Sequence, residues 1–188
     1  MEINWPQFSK QVLAVTSTKN EGDLSFKWGT KEKEVIRNRQ NWFKQLGLDL
    51  SSLISVNQPH GDNIIWVDHA SAGRGALTKN WIEGADGLIT KDKSIVLGIE
   101  TADCLPIFLY ASESNIVGLA HAGWRGVASN IAKNLIEETL NSGARAGELY
   151  LHIGPHIQGC CFEAKEDLVN IFKDYPEAIN KKDDKFLI

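Results

Sequence analysis

Methionine is nearly absent from this 188-residue chain, Met1 being the only one. Histidine is sparse as well. There are five, and no two are separated by a single residue. A blue-copper centre takes its weak axial ligand most often from methionine, and five imidazoles cannot serve such a centre and a trinuclear cluster together. The composition therefore argues against multicopper chemistry. Cysteine is limited to Cys104, Cys160 and Cys161, an odd number with two adjacent. That is no disulfide framework, and it points to a reducing, cytoplasmic compartment. There is no Cys-x-x-Cys pair and no His-x-Glu with a Pro-Cys-x-x-Cys partner, which removes the usual zinc cytidine-deaminase pattern. No apolar run is long enough to cross a bilayer, and the opening "MEINWPQFSK" lacks a basic start and an apolar h-region. The formal net charge is −4, without long runs of one sign, so neither a nucleic-acid surface nor a membrane partner is expected.

What is there suits one globular domain: 43% of residues are hydrophobic and 23% charged, enough to build a core. "QVLAVTST" (11–18) is rich in β-branched residues and reads as a strand. "EKEVIRNRQNWFKQLGL" (32–48) places Val35, Ile36, Trp42, Phe43 and Leu46 near one helical face, with Gly47 as a stop. "SLISVNQ" and "NIIWVDHA" flank the turn chemistry of "PHGD". From residue 86 the apolar runs "DGLIT", "SIVLGIET", "LPIFLYA" and "NIVGLAH" follow in quick succession. "VASNIAKNLIEETLNSG" (127–143) reads as an amphipathic helix. "ELYLHIGP" is a further strand, and "AKEDLVNIFKDYP" a helix ended by Pro176. Strands this close together leave no room for crossover helices. The expected class is α+β, mixed sheets flanked by helices in a single domain spanning 1–188. "SAGRGALTKN" (71–80) reads as a mobile surface loop.

Three polar motifs end apolar strands. "SVNQPHG" delivers His60, "VLGIETADC" delivers Cys104, and "VGLAHAGWRG" delivers His121. Two imidazoles and a thiolate suit zinc, and three protein ligands leave a fourth position for water or substrate. The plainer alternative is a packed thiol with two hydrogen-bonded loop histidines. "TADCLP" weighs against it, because Asp103 is polar where a strand calls for core. "GWRG" leads toward a helix start, whose unpaired N–H groups and dipole favour anions. Gly123 and Gly126 allow close backbone approach, and Arg125 offers a planar fork to an oxyanion such as phosphate. Arg125 could equally pair with a local carboxylate, Asp86 or Asp103. Cys160 and Cys161 read as packed thiols, His69 as a surface residue, and His152 as a core or supporting histidine. His156 stands near a strand end where it can line a pocket. Asp86, Glu100 and Asp103 are candidate proton-transfer groups. A second reading makes Cys104 a nucleophile with His121 as base, a cysteine hydrolase or amidase. A third is a zinc-stabilised interaction module.

Taken together and in order, "NQPHGD", "ADGLIT", "TADCLPIFL", "AHAGWRG" and "IGPHIQGCCFEA" resemble the laccase-domain, or multicopper polyphenol oxidoreductase, family. Its members are described mainly as zinc-containing purine nucleoside phosphorylases. "EVIRNRQNWFKQLGL" resembles the family's Asn-Arg helix. The resemblance implies His60, Cys104 and His121 as zinc ligands, and substrate contact from Arg39, Arg125, Gly126 and His156. It implies phosphorolysis of adenosine and inosine, with methylthioadenosine cleavage and adenosine deamination as further activities. Purine nucleosides and phosphate are the partners it implies, and copper is not expected. It also implies that members continue beyond "KFLI", so that this chain lacks the family's usual C-terminal segment.

Overall fold

The computed structural model describes residues 5–8, 10–182 and 185–187. Along the chain run β1 (Leu53–Ser55), β2 (Ile64–Trp66), β3 (Gly87–Thr90), β4 (Val96–Gly98), β5 (Leu105–Ala111), β6 (Ile116–Ala122), β7 (Leu149–Ile153), β8 (Glu163–Ala164), β9 (Asn180–Lys182) and β10 (Lys185–Leu187). The helices are α1 (Glu32–Gln45), α2 (Trp124–Ala128), α3 (Ile131–Asn141) and α4 (Glu166–Ile171). Five strands form the central sheet in the order β2-β3-β6-β5-β7, parallel between β2 and β3 and antiparallel elsewhere. β1 and β4 pair in parallel beside it, and β8, β10 and β9 make a small antiparallel sheet. The chain is thus α+β with mixed sheets, as its close-set strands imply.

Strand alternation gives the central sheet two faces. Ile107 and Leu109 of β5 and Ala120 and Ala122 of β6 pack against Ile131 and Leu135 of α3. On the other face Leu88 of β3 joins Ile54, Val56, Val67, Ile82, Ala85 and Ile95. His121 lies between Ala120 and Ala122, so alternation turns it away from α3. α1 closes the β1 side through Phe43, against Leu50, Leu53 and Ala76. Its buried face is Val35, Arg39 and Phe43, a stripe with a cation at its centre.

Three local expectations need correction. Residues 11–18 form no strand; only Val15 makes a bridge, since β-branched composition builds a strand only where a partner runs alongside. The helix expected over 127–143 starts earlier, at Trp124, and is broken by Asn130, which sits at φ 63°. Val127, Ile131 and Leu135 keep a four-residue spacing across the break, so periodicity cannot reveal it. Pro176 opens a 3-10 turn, after α4 has already ended at Ile171. Residues 71–80 form turns and bends with 77–80 exposed, and the first half of the stretch is bonded to β1. Gly73 N–H donates to Leu53 O, Ser55 N–H to Arg74 O, and Ala76 is buried. Among the described residues no helix is long and apolar enough to cross a membrane.

The β5–β6 turn is held by a buried carboxylate at the start of β7. Glu148 accepts from Glu113 N–H at 2.8 Å, Ser114 N–H at 3.0 Å, Ser114 Oγ at 2.6 Å and Arg145 N–H at 2.8 Å. The Ser114 hydroxyl and these amides hold its pKa down at about 2, below an ordinary value of 4.5. A depressed carboxylate stabilises the fold above its unfolded pKa, and that contribution disappears as pH falls through its folded one. Glu148→Gln should therefore unfold at lower temperature than wild type at pH 7, with the gap shrinking as pH drops from about 4.5 toward 2. Melting curves across that range check this. A gap independent of pH would assign the effect to lost packing instead.

Candidate metal centre

Three strand ends meet on the face away from α3. The β5–β6 ladder pairs Leu105 with Ala122 and Pro106 with His121, so Cys104, one residue before β5, comes beside Gly123. A Cβ on Gly123 would stand 3.4 Å from Cys104 Sγ and 2.8 Å from His60 Cδ2. This glycine is therefore required by the approach of two side chains. His60 follows the β1 segment. Gln58 and His60 both take left-handed backbone, at φ 54° and 68°, a conformation that non-glycine residues adopt only when their surroundings hold them there. The donor atoms of His60, Cys104 and His121 all lie within 4.8 Å of one another. The two imidazoles meet edge to face, 4.7 Å between centroids. His121 is buried, Cys104 half-buried and His60 exposed, so the group opens to solvent on the His60 side.

Asp86 holds this arrangement from beneath. It is fully buried. Oδ1 lies 2.9 Å from His121 Nδ1 and accepts His60 N–H at 3.0 Å, while Oδ2 accepts Gly61 N–H at 2.7 Å. Its backbone carbonyl takes His121 N–H at 2.8 Å. Burial alone would push the Asp86 carboxyl up, but the bonds from His121, Gly61 and His60 prevail and hold it below the ordinary aspartate value. A carboxylate on Nδ1 puts the proton there and leaves His121 Nε2 free to donate a lone pair, the outer-shell arrangement found behind metal-binding histidines. Burial, then the charges of Asp103 and Asp86, push the Cys104 thiol up. A free thiol in that state is a poor nucleophile.

A second brace lies behind the ligand loops. Gln58 Nε2 donates to Glu100 O at 2.6 Å, and Glu100 N–H donates back to Gln58 Oε1 at 3.0 Å. The Glu100 carboxylate receives Arg39 at 2.7 Å and Ser25 Oγ at 2.8 Å. Arg39 also donates to Leu24 O, Gly75 O and Ala76 O, and its guanidinium lies 4.5 Å from the Phe26 ring. Arg39, expected at the substrate, is thus buried with its donors taken by protein.

The remaining expected residues fall into two groups. Gly126 is buried, and a Cβ there would stand 2.8 Å from Gly61 O; its close approach is to the turn after His60, not to open space. Arg125 is exposed and lies 4.0 Å over the Trp124 ring. Asp86 is committed to His121, and no ion pair among the described residues involves Arg125. His156 is half-buried, with Nδ1 2.8 Å from Gly154 O. Its loop is tied to the site where Ile157 N–H donates to Asp103 O at 3.0 Å. The Asp103 side chain is exposed beside Cys104. Cys160 and Cys161, expected as packed thiols, are both exposed. His69 is a surface residue, and His152 packs edge-on against Trp5. Sequence reasoning did not give Asp86 its orienting role or see Gln58 at all. The available signal was a lone acid in "ADGLIT", at the mouth of a fully buried strand.

Residues 8–187 match the family described as multi-copper polyphenol oxidoreductase laccase. The chain is 36% identical over 146 residues to adenosine deaminase RL5 from an unknown prokaryotic organism, covering 77% of this chain and 56% of that protein. It is 32% identical over 177 residues to purine nucleoside phosphorylase YlmD of Geobacillus stearothermophilus, covering 88% and 64%. The crystal structure of YlmD from that organism superposes with a TM-score of 0.82 at 28% identity, over 88% of this chain and 64% of that one. The Bacillus licheniformis hypothetical protein YfiH gives 0.83 at 26% identity, with the same coverage. The chain spans less than two thirds of the length of each of these relatives.

Asp86→Asn keeps the size of the side chain but removes the charge that holds the His121 proton on Nδ1. Metal affinity should fall by roughly 10–100-fold, read by competition with a chromogenic chelator. Wild-type affinity in this variant would show that His121 needs no such partner.

Proposed function

The chain belongs to the multi-copper polyphenol oxidoreductase laccase family, and on that premise we propose that it carries a zinc-dependent purine nucleoside phosphorylase site acting on adenosine and inosine. The observation that carries this reading is the His60–Cys104–His121 group, three donors within 4.8 Å with a buried carboxylate on one imidazole. One sulfur and two nitrogens match the borderline-soft character of zinc, and these three residues would hold the ion. When bound, zinc supplies a Lewis acid for phosphate or water, or a hydroxide for deamination. The Geobacillus relative, a purine nucleoside phosphorylase by name, supports phosphorolysis, and the adenosine deaminase RL5 supports deamination as a second activity. Methylthioadenosine belongs to the same substrate class.

The chain's own groups divide the work. Arg125 presents an unpaired guanidinium beside the ligand loop and is suited to grip a phosphate through two parallel hydrogen bonds. A phosphate oxygen attacks C1′ of the ribose, the glycosidic bond breaks, and the purine leaves with the bonding pair. Of the acids considered for proton transfer, Asp86 is committed to His121 and Glu100 to Arg39. Asp103, exposed next to Cys104, is the one open to exchange a proton with the base. The loop that carries His156 is bonded to the Asp103 backbone through Ile157, which supports His156 as a residue lining the substrate site. Polyphenol oxidation, which the family description names, fits less well. The described residues offer one group of three donors, too few for the several copper ions of such an enzyme.

Inosine with phosphate should yield hypoxanthine and ribose 1-phosphate. Nucleoside cleavage that ignores phosphate would overturn the phosphorylase reading. Arg125→Ala should raise the phosphate requirement about thirtyfold, the loss of roughly 2 kcal/mol for a charge-assisted hydrogen bond. Lysine should restore part of it, lacking the fork. An unchanged phosphate dependence removes Arg125 from this role.

Cys104→Ser separates metal ligand from nucleophile. The serine variant should lose both bound zinc and activity, seen by elemental analysis beside the product assay. If Cys104 acts as a cysteine hydrolase nucleophile with His121 as base, wild type carries no zinc to lose, and alkylation of Cys104 alone abolishes turnover.

A further inference from the structure

The loop between β7 and β8 carries a feature that the metal centre does not use. Cys160 and Cys161 are adjacent, both exposed, with their sulfurs 3.4 Å apart. The turn that presents them is closed by Cys161 N–H to Gln158 O at 2.8 Å and Phe162 N–H to Gln158 O at 3.1 Å. Neither belongs to the His60–Cys104–His121 group. Consecutive Cα atoms lie about 3.80 Å apart, below the usual disulfide window of about 4.4–6.8 Å. Oxidation to a disulfide is therefore strained and readily reversed, and the pair is biased to persist as two thiols. Each sulfur alone is an ordinary surface thiol. The two together are a soft bidentate ligand held by a closed turn.

We propose that Cys160 and Cys161 form a second binding site, a vicinal dithiol that chelates a soft trivalent metalloid such as an arsenical. Two protein sulfurs complete the three-coordinate shell of a trivalent arsenic that already carries one organic substituent. With an arsenoso group, two As–S bonds form and the As=O bond breaks. The two thiol protons leave with that oxygen as water. Arsenic stays trivalent, so the step needs no oxidant or reductant. The gain over a single thiol is the high local concentration of the second sulfur once the first has bound.

The test uses the 188-residue chain with phenylarsine oxide at one equivalent, followed by intact mass under native conditions and by free-thiol titration. One arsenical should bind and two titratable thiols should disappear. Removing it should take roughly 10²-fold more monothiol from wild type than from Cys160→Ser or Cys161→Ser, while a dithiol competitor should strip it readily. Cys104→Ser should bind as wild type does. Capture that survives in either single variant with wild-type resistance to monothiol overturns the proposal. So does capture lost in Cys104→Ser, which would place the arsenical at the metal centre, and so does wild-type chain that takes up none.

Discussion

Everything at the open end of the central sheet is organised around one buried carboxylate. Asp86 has no contact with solvent, yet it stays charged because hydrogen-bond donors converge on it from two other strand ends. The trade is favourable only when every donor is in place. A buried anion with too few partners raises its pKa or destabilises the fold. The same bonds that keep Asp86 ionised fix the His121 ring, the His60 backbone and the turn after it. Electrostatic satisfaction of one residue and geometric placement of two candidate ligands are the same event.

The strained backbone at Gln58 and His60 becomes intelligible in that light. Two left-handed residues in three positions are costly by themselves. Asp86 holds one end of this short stretch through His60 and Gly61. Gln58 is held at the other by a reciprocal pair of bonds to the backbone of Glu100, which Arg39 anchors from α1. The buried arginine thus connects the helix face, the 75–76 turn and the segment that runs on to Cys104. Its removal would leave Glu100 with only the longer pairing to Lys27, at 3.7 Å, and would loosen the neighbour on which Gln58 is held. Through these protein contacts Arg39 is tied to the segments that carry the site.

How much of this could be read beforehand depended on the range of the interaction. The close-set apolar runs of 86–122 forecast a mixed sheet because strand spacing is a local constraint. The three candidate ligands were legible because each sits where an apolar run gives way to polar residues. Asp86 in its orienting role was not, since its partners lie 25 to 35 positions away in sequence and no local pattern marks them. The break at Asn130 was invisible for the opposite reason: the apolar spacing runs straight through it. The burial of Arg39 was not legible either, because its protein partners are set by tertiary packing and not by the motif around it. The 71–80 stretch reads as a surface loop from its glycines and polar residues, and the bonds of its first half to β1 are again a tertiary fact.

The bracket formed by Glu148 has a consequence for how the chain can vary. Surface hairpin turns ordinarily tolerate insertions and deletions. Here one carboxylate engages two successive amides of the β5–β6 turn, so the turn's length is measured against a fixed point at the start of β7. Adding or removing a residue would slip the β5–β6 register by one and turn alternate side chains to the opposite face. His121 would then point toward α3 while Asp86 stayed behind. A turn at the far end of the hairpin therefore carries a length constraint set by chemistry at the near end. Among descendants of this sequence, that loop should tolerate changes of residue far better than changes in length.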